Sequence, residues 1–132
     1  MRYMLDTNIC IYLIKKRPEQ VLKKLRPLPI TDIAISSISV AELEYGVAKS
    51  SQPERNRDAL SLFLAPLEIV LFDQIAAFHY GVIRASLESK DNVIGSMDML
   101  IASHAISLSA TLVTNNLREF ERVPGLSVEN WL

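Results

Sequence analysis

The stretch Met1-Arg2-Tyr3-Met4-Leu5-Asp6-Thr7-Asn8 contains an apolar run, Tyr3 to Leu5, that ends at an acidic residue. After Asp6 the apolar residues recur with the spacing of a helix. The pattern predicts a short buried strand with Asp6 at its carboxyl end, followed by a helix from Asn8 to Lys16. Ligands of open α/β sheets bind outside the carboxyl ends of the strands, but aspartate is also a common helix N-cap. Asp6 alone therefore leaves both roles open.

Composition sets broad limits. The chain has 132 residues, which suits one domain, 1–132, with one core. Its 14 basic and 15 acidic side chains give no net charge that indicates a nucleic-acid or membrane partner. The basic residues near the start of the chain are expected to form a solvated helix surface, although some can meet RNA phosphates. A single cysteine, no signal-peptide pattern and no apolar run of about 20 residues predict a cytoplasmic protein without a membrane partner.

Strand and helix patterns alternate along the whole sequence. Apolar and β-branched runs predict further strands at 33–36, 68–72, 111–114 and, at an edge, 126–129. Helical periodicity predicts helices at 18–26, 39–48, 53–65, 74–89 and 97–108, with a helical turn within 115–122. This alternation predicts the α/β class, with a central, mostly parallel sheet of four or five strands and helices on both faces.

Three helix starts carry capping signals. Ser39 opens Ser-Val-Ala-Glu, a capping-box pattern that predicts a helix start there and puts Glu42 in the first turn. Asp73 and Ser96 are the predicted caps of the next two long helices. The helix after Asp73 is expected to bury Ile75, Ala76, Phe78, Val82, Ile83 and Leu87.

Four acids fall at the same predicted edge of the sheet: Asp6, Glu42, Asp98 and Glu119. Taken singly, each has an ordinary explanation, such as a capping box for Glu42, a helix N-terminus for Asp98 or a solvated charge for Glu119. Carboxylates about 4 Å apart repel by about 4 kcal/mol per pair at an effective dielectric constant of about 20. A cluster of them therefore needs a raised pKa or a bound cation.

The chemistry of such a cluster is specific. An all-oxygen set without matched His or Cys ligands favours Mg²⁺ or Mn²⁺ over zinc. Thr114 and Asn116 add neutral oxygens beside Glu119. A metal held there can polarise a phosphodiester, activate a water and stabilise the leaving oxygen. The sequence therefore predicts a metal-dependent nuclease site.

The segments that carry the acids resemble PIN-domain ribonucleases and, more closely, the VapC toxins of bacterial type II toxin–antitoxin modules. The segments are Asp6-Thr7-Asn8, Ser39 to Gly46, the Asp98 helix and Ala110 to Phe120. The resemblance covers essentially the whole chain in order and spacing. It implies a PIN-like fold, a Mg²⁺-dependent endoribonuclease activity and a cognate VapB antitoxin. By motif match, the metal-binding triad is Asp6, Glu42 and Asp98.

The last motif departs from the family pattern. Many relatives carry a fourth acid directly after the Thr-x of this motif, where this chain has Asn116. Glu119, one helical turn further on, is expected to compensate. The resemblance also implies that Thr7 and Asn8, or Ser39, orient the acids or a water.

The resemblance has implications for substrate and assembly as well. Enteric members with a similar Thr-Asn-Asn and Glu-Phe ending act on the anticodon stem-loop of initiator tRNA, which makes that RNA the first expected substrate. A homodimer and larger toxin–antitoxin complexes are implied. The antitoxin would lie in an apolar groove near the helices that follow the first two strands, with contributions expected from Tyr12, Leu43, Tyr45 and Val47.

Three other functions remain open at this point. A receiver-type phosphoacceptor domain has a similar length, but it needs paired acids after the first strand and a lysine after the last. An Asp-x-Asp phosphatase needs a second acid at position 8, where this chain has Asn8. A PIN-like domain that binds RNA or a partner without cutting is opposed by the intact acidic triad.

Overall fold

The computed structural model describes residues 2–132, so that Met1 of the opening stretch lies outside the described residues. Five strands form one sheet in the order β3-β2-β1-β4-β5, and every neighbouring pair is parallel. The strands are β1 (Tyr3–Leu5), β2 (Ile33–Ser36), β3 (Glu68–Val70), β4 (Thr111–Val113) and β5 (Val128–Glu129). The prediction of a parallel α/β sheet is confirmed, and β1 is its central strand.

Helices connect the strands. They are α1 (Thr7–Lys15), α2 (Glu19–Leu25), α3 (Ser37–Ala48), α4 (Pro53–Leu64), α5 (Gln74–Ser89), α6 (Ser96–Ser107) and α7 (Leu117–Phe120), with a 3₁₀ turn at Ile30–Asp32. Within residues 2–132, none of these helices combines the length and the apolar character needed to cross a membrane.

Each face of the sheet has its own hydrophobic core. Successive side chains of a strand point to opposite faces, so Leu5 packs into one core and Met4 into the other. The first core joins Leu5 to buried side chains such as Ile9 and Leu43, from α1 and α3. The second joins Met4 to residues such as Ile101 of α6. Because both faces are covered, the three inner strands β1, β2 and β4 are buried almost throughout, whereas the edge strand β3 is largely exposed.

The start of α3 differs from the prediction. The helix begins at Ser37, and the hydroxyl oxygen of Ser36 caps it by accepting from the Ile38 N–H at 3.0 Å. The capping box at Ser39 is therefore wrong, and Glu42 lies in the second turn. Ser36 takes the role because it ends β2 in an extended conformation, as an N-cap requires. The cap of α6 is Gly95 and not Ser96, which is the first residue of the helix.

Helix α5 has the predicted bounds and the predicted cap. The Asp73 carboxylate accepts from the Ala76 N–H at 3.0 Å. The buried face is narrower than expected, however, because α5 packs mainly against α6 and leaves its other side open. Only Ala76, Ile83 and Leu87 of the expected residues are buried. The side chains of Ile75, Phe78 and Val82 are 62%, 67% and 54% exposed, and Leu71 just before the helix is 73% exposed.

Candidate active site

Asp6 stands where the central strand becomes a helix. Its Oδ1 accepts from the Ile9 N–H at 2.9 Å, so that Asp6 is the N-cap of α1, and only 5% of the residue is exposed. The Thr114 hydroxyl, at the end of the neighbouring β4, lies beside this carboxylate and acts to lower its pKa. Burial nevertheless raises the pKa of Asp6, and the charge of Glu42 adds to the increase. The Asp6 side chain is therefore both the N-cap of α1 and a member of the acidic cluster.

Glu42 reaches the cluster from α3. Its Oε1 accepts from the Thr7 hydroxyl at 2.6 Å, across 35 residues of sequence. Thr7 is the first residue of α1 and directly follows Asp6. This short hydrogen bond joins the two helices that follow β1 and β2, and it holds the Glu42 carboxylate near that of Asp6.

Asp98 and Glu119 form the other part of the cluster. Asp98 is in the first turn of α6, and Glu119 is in α7. Burial, which is the largest cause, a hydrogen bond with Glu119 and the charges of Glu119, Glu42 and Asp6 together raise the pKa of Asp98 from 3.8 to about 7. Two carboxyl groups can share a hydrogen bond only if one of them is protonated. With a pKa of about 7, the Asp98 carboxyl group is protonated about half of the time at neutral pH.

Asn116 occupies the position at which the family pattern has an acid. Its side-chain amide donates to Oε2 of Glu119 at 3.1 Å, and its backbone N–H donates to Oγ1 of Thr114 at 3.0 Å. Asn116 thus fixes the orientation of Glu119, while Thr114 connects this turn to Asp6. Thr114 and Asn116, both predicted to lie beside the acids, thus belong to one turn with Glu119.

Two predicted residues are less closely involved. Asn8 is exposed, and only its backbone N–H bonds the Asp6 carboxylate. Ser39 is fully buried on α3, one turn before Glu42, and its hydroxyl makes no hydrogen bond to any atom within residues 2–132. One contact was not predicted: the Asn115 amide donates to the Tyr12 hydroxyl at 2.8 Å and joins the end of β4 to α1. The repeated Asn after Thr114 was the available sequence signal for it.

The donor set fits a hard divalent cation. Four carboxylates are electrostatically coupled at one edge of the sheet, and their neighbours supply hydroxyl and amide oxygens. Within residues 2–132, no three His, Cys, Asp or Glu side chains already surround a common point as metal ligands would. Proton loss from the Asp98–Glu119 pair would free oxygens for coordination, because a protonated carboxyl group is a poor ligand.

Comparison with known proteins assigns the family. The profile of the PIN domain matches residues 3–126. The chain is 53% identical to ribonuclease VapC2 of Rickettsia felis, over 99% of this chain and 98% of that protein. It is 46% identical to the tRNA(fMet)-specific endonuclease VapC of Salmonella typhimurium, over 99% and 98%. This chain belongs to the VapC family of PIN-domain proteins. The crystal structure of Rickettsia felis VapBC2 bound to a promoter DNA fragment contains a VapC-like chain that matches with a TM-score of 0.93, 52% identity and full coverage of both chains.

The sheet order agrees with this assignment and opposes the receiver alternative. Receiver domains have the strand order 2-1-3-4-5, in which β1 is next to β3. In this VapC-family chain, β1 lies between β2 and β4, and β3 is at an edge.

The VapC-family chain also has an apolar groove beside the acids. A cavity of about 290 Å³ lies between α1, α3 and α4, and Glu42 contributes to its wall. Of the residues expected there, Leu43 and Val47 line the cavity. Tyr12 and Tyr45 do not: Tyr12 bonds Asn115, and Tyr45 is 66% exposed with the Lys49 ammonium 4.7 Å from its ring centre.

Proposed function

We propose that this VapC-family protein is the toxin of a VapBC module and acts in the cytoplasm as a Mg²⁺-dependent endoribonuclease, with residues 1–132 forming a single PIN domain. The observation that carries the proposal is the cluster of four coupled carboxylates at the carboxyl edge of the sheet, in which the pKa of Asp98 is raised to about 7. Such a concentration of negative charge is costly in the absence of a cation. The names of the curated relatives supply the class of reaction.

In this proposal Asp6, Glu42 and Asp98 bind the metal, and Glu119 completes the set in place of the acid absent at Asn116. The oxygen donors suit Mg²⁺, with Mn²⁺ as an alternative. When bound, such an ion lowers the pKa of a water and stabilises charge on the phosphate oxygens. The Thr7 hydroxyl holds Glu42 and the Asn116 amide holds Glu119, while the Thr114 hydroxyl lies beside Asp6.

Asn8 and Ser39 have smaller proposed roles. The backbone N–H of Asn8 steadies Asp6. The Ser39 hydroxyl is buried, has no partner within residues 2–132 and lies one helical turn from Glu42 on the same side of α3. That position suits a hydroxyl that bonds a water near Glu42.

The proposed substrate is tRNA, and the first candidate is the anticodon stem-loop of initiator tRNA. A relative with 46% identity over nearly the whole chain is named a tRNA(fMet)-specific endonuclease. The chain also has the Thr-Asn-Asn and Glu-Phe segment around Glu119 on which this expectation rests.

The activity is tested by incubating the purified, antitoxin-free protein with bacterial tRNA in Mg²⁺ or in EDTA and mapping new RNA ends. We expect sharp cleavage of one tRNA in Mg²⁺ only, and none with Asp98→Asn. Glu121→Gln is the matched control, because Glu121 is an exposed acid two residues from Glu119. Cleavage by Asp98→Asn at the wild-type rate, or equal cleavage in EDTA, would contradict the proposal.

The groove between α1, α3 and α4 is the proposed site for the C-terminal segment of the antitoxin, because it is apolar and ends at Glu42. Gly46 lines the groove, and a Cβ at this position would meet no atom within 4 Å. Gly46→Leu should therefore fill the groove without disturbing the core and prevent co-purification of the antitoxin. Gly81→Leu is the control, since Gly81 of α5 is equally open. Normal complex formation by Gly46→Leu would exclude this groove.

The exposed apolar face of α5 is the proposed homodimer interface. Ile75, Phe78 and Val82 recur at helical spacing, and Leu71 extends the same exposed apolar patch. Contiguous exposed apolar surface commonly marks a protein interface. Sedimentation should give a dimer for the wild type and a monomer for Phe78→Glu. Leu62→Glu, at a side chain that is 78% exposed on α4, should remain dimeric.

A further inference from the structure

The segment from residue 15 to residue 26 concentrates the positive charge of the chain. It holds six basic side chains and one acid, which leaves eight basic and fourteen acidic side chains elsewhere. All six are exposed, and none forms an ion pair within residues 2–132. We call this the basic segment; its cations are Lys15, Lys16, Arg17, Lys23, Lys24 and Arg26.

Local structure explains only part of this charge. Cations in the last turn of a helix complement the helix dipole by about 0.3 to 1 kcal/mol each, which accounts for Lys15 in α1 and for Lys23 and Lys24 in α2. Lys16 has φ of 57°, a left-handed conformation that glycine adopts at lower cost. The backbone therefore does not explain a lysine at position 16. Arg17 lies between the two helices, where a dipole does not explain it either.

The basic segment is joined directly to the acidic cluster. Helix α1 begins at its cap Asp6 and ends at Lys15, so nine helical residues, about 14 Å, separate the two. Lys15 and Glu42 also line the same cavity. A polyanion bound at the acids would thus meet this cluster of exposed cations within a short distance along its backbone.

We propose that the basic segment binds phosphates of the RNA substrate several nucleotides from the scissile bond. The inference rests on the proposed function and adds a binding surface to it. Phosphate contacts position a nucleic acid without reading its sequence, and they need only exposed cations. A protein partner would require apolar or aromatic anchors, whereas Val21, Leu22 and Leu25 of α2 turn inward to the core. The charge therefore fits RNA better than an acidic protein.

The test measures binding of labelled bulk bacterial tRNA in an Asp98→Asn background, which keeps the RNA intact. The variant Lys23→Gln/Lys24→Gln/Arg26→Gln removes three cations and keeps good helix formers. The control Arg55→Gln/Arg84→Gln/Lys90→Gln removes the same charge from exposed positions at α4 and α5. We expect Kd to rise at least about tenfold only for the basic-segment variant, and the slope of log K against log salt to lessen by about 2, at about 0.7 per lost phosphate contact.

The outcomes separate this inference from the nuclease assignment. If the wild-type chain cuts tRNA but both triple variants bind it equally, the surface is wrong and the nuclease assignment stands. If the wild type fails to cut but only the basic-segment variant loses tRNA binding, the binding surface is supported and the nuclease assignment is not. Loss of a co-expressed antitoxin by that variant, with tRNA binding equal to the control, would assign the segment to the protein partner and overturn the proposal.

Discussion

The two halves of the acidic cluster are held in different ways. Glu42 accepts a hydrogen bond from the Thr7 hydroxyl, and Asp6 lies beside the Thr114 hydroxyl, which acts to lower its pKa. In the other half, burial and the neighbouring Glu119 instead favour a proton on Asp98. The first half therefore has hydroxyl groups beside its acids, whereas in the second half Asp98 has to lose a proton before it can bind a cation well. The same residue types therefore have different surroundings in the two halves.

The largest expected difference is between two single variants, one that removes an acid of the first half and one that removes an acid of the second. Asp6→Asn should lower kcat for RNA cleavage by about 10³-fold or more, since it removes a charge on which several kcal/mol of metal-based stabilisation depends. Glu119→Gln should lower kcat by only about tenfold, because Asp98 remains and an amide can still bond it. Rates are measured at saturating tRNA, with circular dichroism to verify folding. Equal losses for the two variants would mean that the halves do not differ.

The threonine hydroxyls beside Asp6 and Glu42 can be removed while both acids are kept. Thr7→Val and Thr114→Val keep the shape of the side chain and remove the donor, and each should lower activity or Mg²⁺ affinity by about 10- to 100-fold. Thr7→Ser and Thr114→Ser retain the hydroxyl and should stay close to the wild type. A loss with serine as large as that with valine would assign the effect to packing.

The raised pKa of Asp98 predicts that metal binding depends on pH. With the pKa of Asp98 at about 7, the metal-free site is mostly protonated at pH 6 and mostly charged at pH 8. Apparent Mg²⁺ affinity should therefore be about tenfold weaker at pH 6 than at pH 8, as measured by calorimetry. Glu119→Gln removes the largest charge contribution to the pKa of Asp98 and should flatten this dependence. An equally steep profile in that variant would show that the proton resides elsewhere.

The smallest expected effect concerns stability without metal. The pKa of Asp98 is higher in the folded chain than its ordinary value of 3.8, so that the folded state binds more protons between pH 3.8 and about 7. The free energy of unfolding should therefore fall as the pH rises through this window. Asp98→Asn cannot titrate, so urea midpoints in EDTA should fall less between pH 5.5 and pH 8 for this variant than for the wild type. Parallel curves would contradict the assignment.

The sheet could be predicted from the sequence because short apolar runs bounded by polar residues define its strands. The run Tyr3 to Leu5 and the run Ile33 to Ser36 have the predicted bounds. The start of α3 could not be fixed in the same way, because Ser36, Ser37 and Ser39 are all good caps. Which of these serines caps α3 depends on the residue at which β2 leaves the sheet. The exposure of Phe78 could not be predicted either, since periodicity identifies an apolar face but not what covers it.

The convergence of the four acids at one sheet edge followed from their places relative to strands and helices. The contacts of Thr7 with Glu42 and of Asp98 with Glu119 could not be predicted in this way. The bond from Thr7 to Glu42 spans 35 residues, and the Asp98–Glu119 pair brings together residues 21 positions apart on two different helices. Sequence spacing carries no information about such contacts between distant elements, so the uneven protonation of the site is a property of the folded chain.

The central position of β1 has a consequence for synthesis. Asp6 is made early, but β4 and Thr114, which complete its surroundings, and Glu119 come near the end of the chain. A nascent chain that stops at Leu108 contains Asp6, Glu42 and Asp98, yet it lacks one of the two neighbours of β1. We therefore expect the growing polypeptide to be harmless to the ribosome-associated RNA around it until β4 has been made and has paired with β1.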